Sequence, residues 1–162
     1  MLSDKVACSN VAVGGEGINM IRVRVKKVHE MAKVPKYAHS GEYGDLAADL
    51  CSVEDITLNA GDVKVIPTGI AMEFPPEYGG IIADRSGLAV RGLTTFAGVV
   101  DPGYRGEIRV VASYFGKEPL TIKVGDRIAQ MRIVRRIEAE FVETEEIEET
   151  ERSGRGFGSS GR

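Results

Sequence analysis

The sequence predicts a single all-β domain, and three observations carry that reading. Apolar residues recur with period two over much of the chain. Turn signals separate these runs at roughly 8–12-residue spacing, as in a sandwich or barrel. Tryptophan is absent and other aromatics are few, so the interior must come largely from Val, Ile and Leu. A length of 162 residues suits one compact domain and is short for two ordinary ones.

The elements follow in order. Residues 1–19 have three glycines and no sustained period, and read as a mobile N-terminal leader. Ile21, Val23 and Val25 alternate with Arg22, Arg24 and Lys26, predicting the first strand. Turns are predicted at Asn59-Ala60-Gly61-Asp62, Pro67-Thr68-Gly69, Gly79-Gly80 and Asp101-Pro102-Gly103. Arg85–Arg91 is the one stretch predicted to be helical, about two turns long. Leu120, Ile122 and Val124 alternate with Thr121 and Lys123 before a turn at Val124-Gly125-Asp126. Ile137, Ala139 and Phe141 alternate with Glu138 and Glu140, predicting a final strand. The barrel is thus expected over residues 20–142, followed by an acidic spacer and Gly-rich arm over 143–162.

Charge divides the chain in the same way. Residues 1–137 carry 18 basic and 16 acidic side chains, residues 138–151 carry eight Glu and no base, and residues 152–162 carry three Arg. A net charge of -3 argues against general nucleic-acid binding, which needs surplus positive charge to displace counterions. Nowhere do eighteen apolar residues run together, so a membrane-spanning helix is not expected. The N-terminus lacks the apolar run of a secretory signal. Cys8 and Cys51 are too few for a disulfide scaffold, and the cytoplasm is the expected location.

Four segments combine small residues with a placed polar group, the combination that close ligand approach requires. In Ala47-Ala48-Asp49-Leu50 the carboxylate either holds a metal-bound water or caps a turn, the commoner use. In Asp84-Arg85-Ser86-Gly87-Leu88-Ala89, Arg, hydroxyl and helix-start amides suit a phosphate; a Ser N-cap beside a solvated Arg fits equally. Gly98-Val99-Val100-Asp101-Pro102-Gly103-Tyr104-Arg105-Gly106-Glu107 sets Asp101 at a sheet rim, where it can order a water; an ordinary hairpin turn predicts the same residues. Gly125-Asp126-Arg127-Ile128-Ala129-Gln130 reads as a turn feeding a strand, with Gln130 as a neutral donor. The tail, Arg152 to Arg162, offers glycine amides, serine hydroxyls, arginines and the stacking face of Phe157. It lacks the Gly-Lys-Ser/Thr ending of a P-loop, and a disordered solubility tail has the same composition.

In this order, AADL, RSGLA, GVVDPGYRGE, GDRIAQ and the RSGRGFGSSG tail resemble the five motifs of the trimeric deoxyuridine triphosphatase (dUTPase) family. The resemblance spans roughly residues 20–162. It implies a jelly-roll-like β-barrel with one short helix and a flexible C-terminal arm. It also implies a homotrimer whose three active sites lie between subunits, the arm of one closing over the site of another. Nine residues, Glu143–Glu151, reach about 30 Å when extended, which suits such an arm.

The implied reaction converts dUTP and water to dUMP and pyrophosphate, limiting uracil in DNA and supplying dUMP for thymidylate synthesis. By resemblance, Asp101 is the general base that deprotonates a water for in-line attack on the α-phosphorus, and it touches the sugar 3′-hydroxyl. Tyr104 packs under the deoxyribose and excludes a 2′-hydroxyl. Arg85, Ser86, Gly87 and Gln130 match phosphate contacts, while Mg²⁺ is expected on the triphosphate with Asp49 in its outer shell through water. Phe157 would stack on uracil, with Arg152, Arg155, Gly158, Ser159 and Ser160 at the phosphates. Neither His29 nor His39 lies near a motif.

Three positions depart from the family pattern. Thr95, counted with the substrate-binding residues, stands where Asn commonly binds the base, and Gly98, Val99, Val100 and the strand near Arg109 can also read the uracil edge. Tyr114 also replaces an Asn. Asp84 replaces a Pro and is expected to weaken phosphate binding by its charge. Two other activities are weighed: a dCTP deaminase or bifunctional deaminase–diphosphatase of the same fold, and a catalytically silent nucleotide-binding trimer.

Overall fold

The computed structural model describes residues 20–150. Ten strands and one helix follow in order: β1 Arg24–Lys27, β2 Ala48–Cys51, β3 Ile56–Leu58, β4 Val63–Glu73, β5 Tyr78–Ala83, α1 Ser86–Ala89, β6 Leu93–Phe96, β7 Val99–Val100, β8 Glu107–Tyr114, β9 Leu120–Ile122 and β10 Arg127–Arg135. They form two four-stranded sheets, β1-β4-β8-β6 and β2-β10-β5-β7, and a small β3-β9 pair. Every pairing is antiparallel. From β4 to β8 the chain changes sheet at each step, the connectivity of a jelly-roll-like sandwich. The predicted leader, residues 1–19, and the tail from Glu151 lie outside the described residues.

The core fills the space between the sheets with Ile66, Ile70, Ile108 and Val110 from one face and Leu50, Ile82, Ala129 and Met131 from the other. Leu58, Leu120 and Ile122 of the small pair close one end. Each such side chain contributes about 1.5–3 kcal/mol by leaving water. Aliphatic residues dominate as composition requires, Phe74 and Tyr114 being the buried aromatics among the described residues. Tyr114 donates its hydroxyl to Glu118 O at 2.5 Å, which makes it a core residue.

Two predicted turns are strand interiors instead. Pro67-Thr68-Gly69 lies inside β4, where the pairing to β8 slips between Pro67 and Ala71. Gly69 takes φ +67 in this bulge, and a side chain there would collide with His29, Val53 and Ala32. The slip frees two backbone groups, which side chains recover: Glu107 Oε1 accepts from Gly69 N–H at 2.9 Å, and Thr68 Oγ1 donates to Ile108 O at 2.5 Å. Gly79-Gly80 lies in β5; a Cβ at Gly79 would sit 2.8 Å from Val100 O, and one at Gly80 2.9 Å from Met131 Sδ. These glycines permit close strand approach, which a sequence pattern does not separate from a turn. The chain actually reverses just before them, where Tyr78 N–H donates to Pro75 O.

The predicted strand Ile137–Phe141 does not form. Its would-be partner β5 begins at Tyr78, opposite Arg135, so the ladder runs out there. Ile137, Phe141, Val142 and Ile147 consequently remain exposed. The predicted helix is present but shorter, a single turn.

Gly79→Ala should lower unfolding free energy by about 1–3 kcal/mol, because the new methyl meets backbone that cannot rotate away. Gly87, whose Cβ would meet nothing within 4 Å, should tolerate Ala without loss of stability. Urea titrations of both variants check this contrast.

Candidate active site

The second sheet organises the site, with β10 between β2 and β5. Gln130 therefore stands opposite Asp49 on one side and Ala83 on the other. Gln130 Nε2 donates to Asp84 O at 2.6 Å, tying down the point where β5 leaves the sheet. Asp49, mid-strand and only 17% exposed at its side chain, accepts from Arg85 Nε at 2.7 Å and Arg127 Nη1 at 3.1 Å. It clamps two arginines and caps no turn.

Arg85 begins the helix with extended backbone, φ -93 and ψ 128, and its side chain makes no capping bond. Its guanidinium is held by Asp49 and by Arg127 O at 3.3 Å. The alternative of a Ser N-cap beside a solvated Arg is thus corrected on both counts. Ser86 and Gly87 face outward, and their first-turn amides have no intrahelical acceptor. Among the described residues, no hydrogen bond engages the Ser86 hydroxyl.

Asp84 differs from expectation. Its carboxylate turns into the fold, where Oδ1 accepts from Thr95 N–H and Thr95 Oγ1, each at 2.6 Å, and Oδ2 from Thr94 Oγ1 at 2.9 Å. Burial pushes this carboxyl up, but the Thr95 and Thr94 hydroxyls and the Thr95 amide together outweigh it and hold the group below its ordinary value.

Arg127 is a site residue that strand alternation conceals. Three positions from Gln130, it belongs on the opposite face of a regular strand. The β2–β10 pairing slips between Arg127 and Ala129, and the extra residue returns Arg127 to the Gln130 face. Beside this cluster runs an open groove of about 670 Å³ whose charged lining residues are Lys27, Lys33, Lys36, Arg127 and Asp49, set among apolar ones. Cys51 also borders it, and burial pushes its thiol up, away from nucleophilic use.

Asp101, Tyr104 and Arg109 form a second group. Val100 pairs with Gly80, and Asp101 continues toward Gly79. Gly79 and Asp84 are five positions apart along β5, roughly 16 Å at ~3.3 Å per residue. One chain therefore carries the Arg85–Gln130 cluster and the Asp101 turn at opposite ends of a sheet. The ordinary-hairpin reading of the Asp101 turn is excluded, since β7 and β8 belong to different sheets. Tyr104 N–H donates to Asp101 O at 3.1 Å, closing the turn, and Tyr104 Oη donates to Glu107 O at 3.0 Å. Arg109 Nε donates to Glu107 Oε2 at 2.8 Å. Asp101 is exposed, and among the described residues no hydrogen bond or ion pair engages its carboxylate.

Gly98 and Val99 lie where the chain crosses from β6 to β7. Gly98 O accepts from Ile82 N–H at 2.7 Å, and Val99 pairs with Ile81. Arg152, Arg155, Phe157, Gly158, Ser159 and Ser160 are outside the described residues. His39 faces Asp45 and His29 Nδ1 accepts from Met31 N–H, both apart from these groups.

Among the described residues no group of three or more His, Cys, Asp or Glu could hold a metal ion. Asp49 already accepts from two arginines, and each oxygen retains a lone pair that can accept from a cation-bound water. No helix among the described residues is long and apolar enough to cross a membrane.

Comparison with known proteins shows which family the chain resembles. The dUTPase family model matches residues 31–161. A deoxyuridine 5'-triphosphate nucleotidohydrolase of Solibacter usitatus is 40% identical over 148 residues, spanning 90% of this chain and 99% of that protein. One from Caldanaerobacter subterraneus subsp. tengcongensis is 43% identical over 146 residues, spanning 87% and 98%. The solved dUTPase of Staphylococcus bacteriophage 80alpha with dUPNHPP superposes with a TM-score of 0.76 at 27% identity, covering 88% of this chain and 100% of that one. Likeness that runs from the loop before β2 into the C-terminal tail, over nearly the full length of its relatives, means that the chain belongs to the dUTPase family.

Proposed function

We propose that this chain is a dUTP diphosphatase that hydrolyses dUTP to dUMP and pyrophosphate in sites assembled from more than one copy. The observation that carries the reading is the division of labour within one chain. A carboxylate that is exposed and without a partner among the described residues stands at one end of the second sheet, and an arginine cradle at the other. A copy related by rotation brings the Asp101 turn of one chain to the Arg85 loop of the next. The family resemblance points to three copies around a three-fold axis.

In this site, Arg85, Ser86, Gly87 and Gln130 bind phosphate oxygens. Asp101 accepts a proton from water, whose oxygen bonds to the α-phosphorus as the bond to the pyrophosphate oxygen breaks. Positioning and charge neutralisation then supply most of the acceleration. A divalent cation such as Mg²⁺, when bound to the triphosphate, spreads its charge, and Asp49 is placed to hold one of its waters. Tyr104, fixed by its bond to Glu107 O, offers a ring face to the deoxyribose. Phe157 and Arg152, Arg155, Ser159 and Ser160 of the arm cover the base and outer phosphates, excluding bulk water. Such an enzyme limits dUTP available to DNA synthesis and supplies dUMP, in the cytoplasm.

Pyrophosphate release measured with dUTP, dCTP, dTTP and UTP, with and without Mg²⁺, tests the activity; ammonia release from dCTP would instead identify a deaminase. Asp101→Asn should retain nucleotide affinity while kcat falls about 10²-fold or more, the scale of a lost general base. Near-normal turnover would remove Asp101 from that role. Asp101→Asn and Arg85→Ala copies, each inactive, should regain activity when refolded together. Random mixing restores an intact pair in about a quarter of sites that take these groups from different copies. Continued inactivity of the mixture would place both groups in one chain. Deleting Arg152–Arg162 should sharply reduce turnover while leaving the oligomer intact by light scattering, and an unchanged rate would exclude the arm.

A further inference from the structure

The loop from Asp84 to Thr95 holds α1 and three cradle residues, Arg85, Ser86 and Gly87. Its ends belong to different sheets, β5 in the second and β6 in the first, and beyond the Ile82 N–H bond to Gly98 O no main-chain bond among the described residues sets the loop's width. Asp84 does so. Its carboxylate gathers Thr94 Oγ1, Thr95 Oγ1 and Thr95 N–H across the neck, while its main-chain oxygen takes the Gln130 amide from β10. Two departures from the family pattern, at positions 84 and 95, are therefore halves of one interaction. Both Thr95 donors are engaged in it.

We propose that Asp84 is a positioning residue that closes the neck of the phosphate-cradle loop and sets how Arg85, Ser86 and Gly87 meet the substrate, with Thr95 serving this clamp and not reading the base. The proposal rests on the dUTP reading above. It opposes the simple electrostatic expectation in sign: a negative charge near a triphosphate weakens binding, so removing it should tighten affinity. Removing a clamp should loosen it.

Asp84→Ala, Asp84→Asn and Thr95→Val full-length proteins separate the two. Affinity is read by calorimetry with dUpNHpp, and KM and kcat from pyrophosphate release with dUTP. Asp84→Ala should weaken dUpNHpp binding and raise KM about tenfold, the scale of lost charge-assisted hydrogen bonds, with kcat changing less than about threefold. Asp84→Asn retains an acceptor oxygen for Thr95 and should stay within about threefold of the parent. Thr95→Val should weaken affinity in the same direction as Asp84→Ala and leave the preference for dUTP over dCTP intact. Unchanged or tighter binding by Asp84→Ala overturns the proposal, even with a lowered Tm. So does a Thr95→Val protein that keeps its affinity but loses base preference. If Asp84→Ala does not fold, Thr95→Val decides: weakened affinity with base preference intact supports the clamp, and unchanged affinity overturns it. A parent protein that releases no pyrophosphate from dUTP defeats the functional reading itself, whereas parent turnover with Asp84→Ala and Thr95→Val both unmoved defeats the clamp alone.

Discussion

The placement of β10 between β2 and β5 is the constraint on which the cradle depends. It sets Gln130 against Asp49 and Ala83 simultaneously, and so brings three distant parts of the chain to one spot. Hydrogen-bond ladders place backbones to within a fraction of an ångström, a precision that flexible arginines lack by themselves. Asp49 and Asp84 extend it outward, one orienting Arg85 and Arg127, the other holding the loop that carries Arg85. The hydrophobic core bears on function through these few points of transfer.

Charge accounting explains why a cradle so well ordered is still incomplete. Arg85 and Arg127 are balanced by Asp49 and Asp84, so the cluster is close to neutral. Preorganisation has been obtained by giving up net attraction. A triphosphate needs further positive charge, and the chain offers it at the margins: Lys27, Lys33 and Lys36 along the groove, and three arginines in the tail. On the proposed reading, long-range attraction by the groove lysines and short-range orientation by the clamped arginines are separate tasks for separate residues.

Period-two patterning made the strands legible where one face meets the core, as in β9, where Leu120 and Ile122 are buried and Thr121 is exposed. It failed where tertiary contacts decide. Gly69 and the Gly79-Gly80 pair carry turn composition, yet one forms a bulge and the other a tight strand crossing, and only the neighbouring backbone distinguishes them. Ile137–Phe141 alternates like a strand, but a strand needs a partner edge and β5 has already ended. In the cluster, Gln130, Arg85 and Asp49 could be named from motif chemistry. Arg127 was hidden by a slipped register, and Asp84 read as a liability because its partners lie ten and eleven positions away on another sheet.

The distance between Asp101 and the cradle within one chain has a chemical logic. A carboxylate within bonding distance of a guanidinium pairs with it, and the partner's charge lowers its affinity for a proton. Asp49 is paired geometrically, each oxygen accepting from one arginine. Had Asp101 been placed beside Arg85 by the same ladder, it would be a second structural ion pair and a poor base. At the far end of the sheet it has no such partner among the described residues. In the shared site proposed above, a triphosphate between the two ends would occupy the arginines with phosphate oxygens and leave Asp101 for the water. The proposed division between copies would thus give the base no arginine of its own chain as a built-in partner.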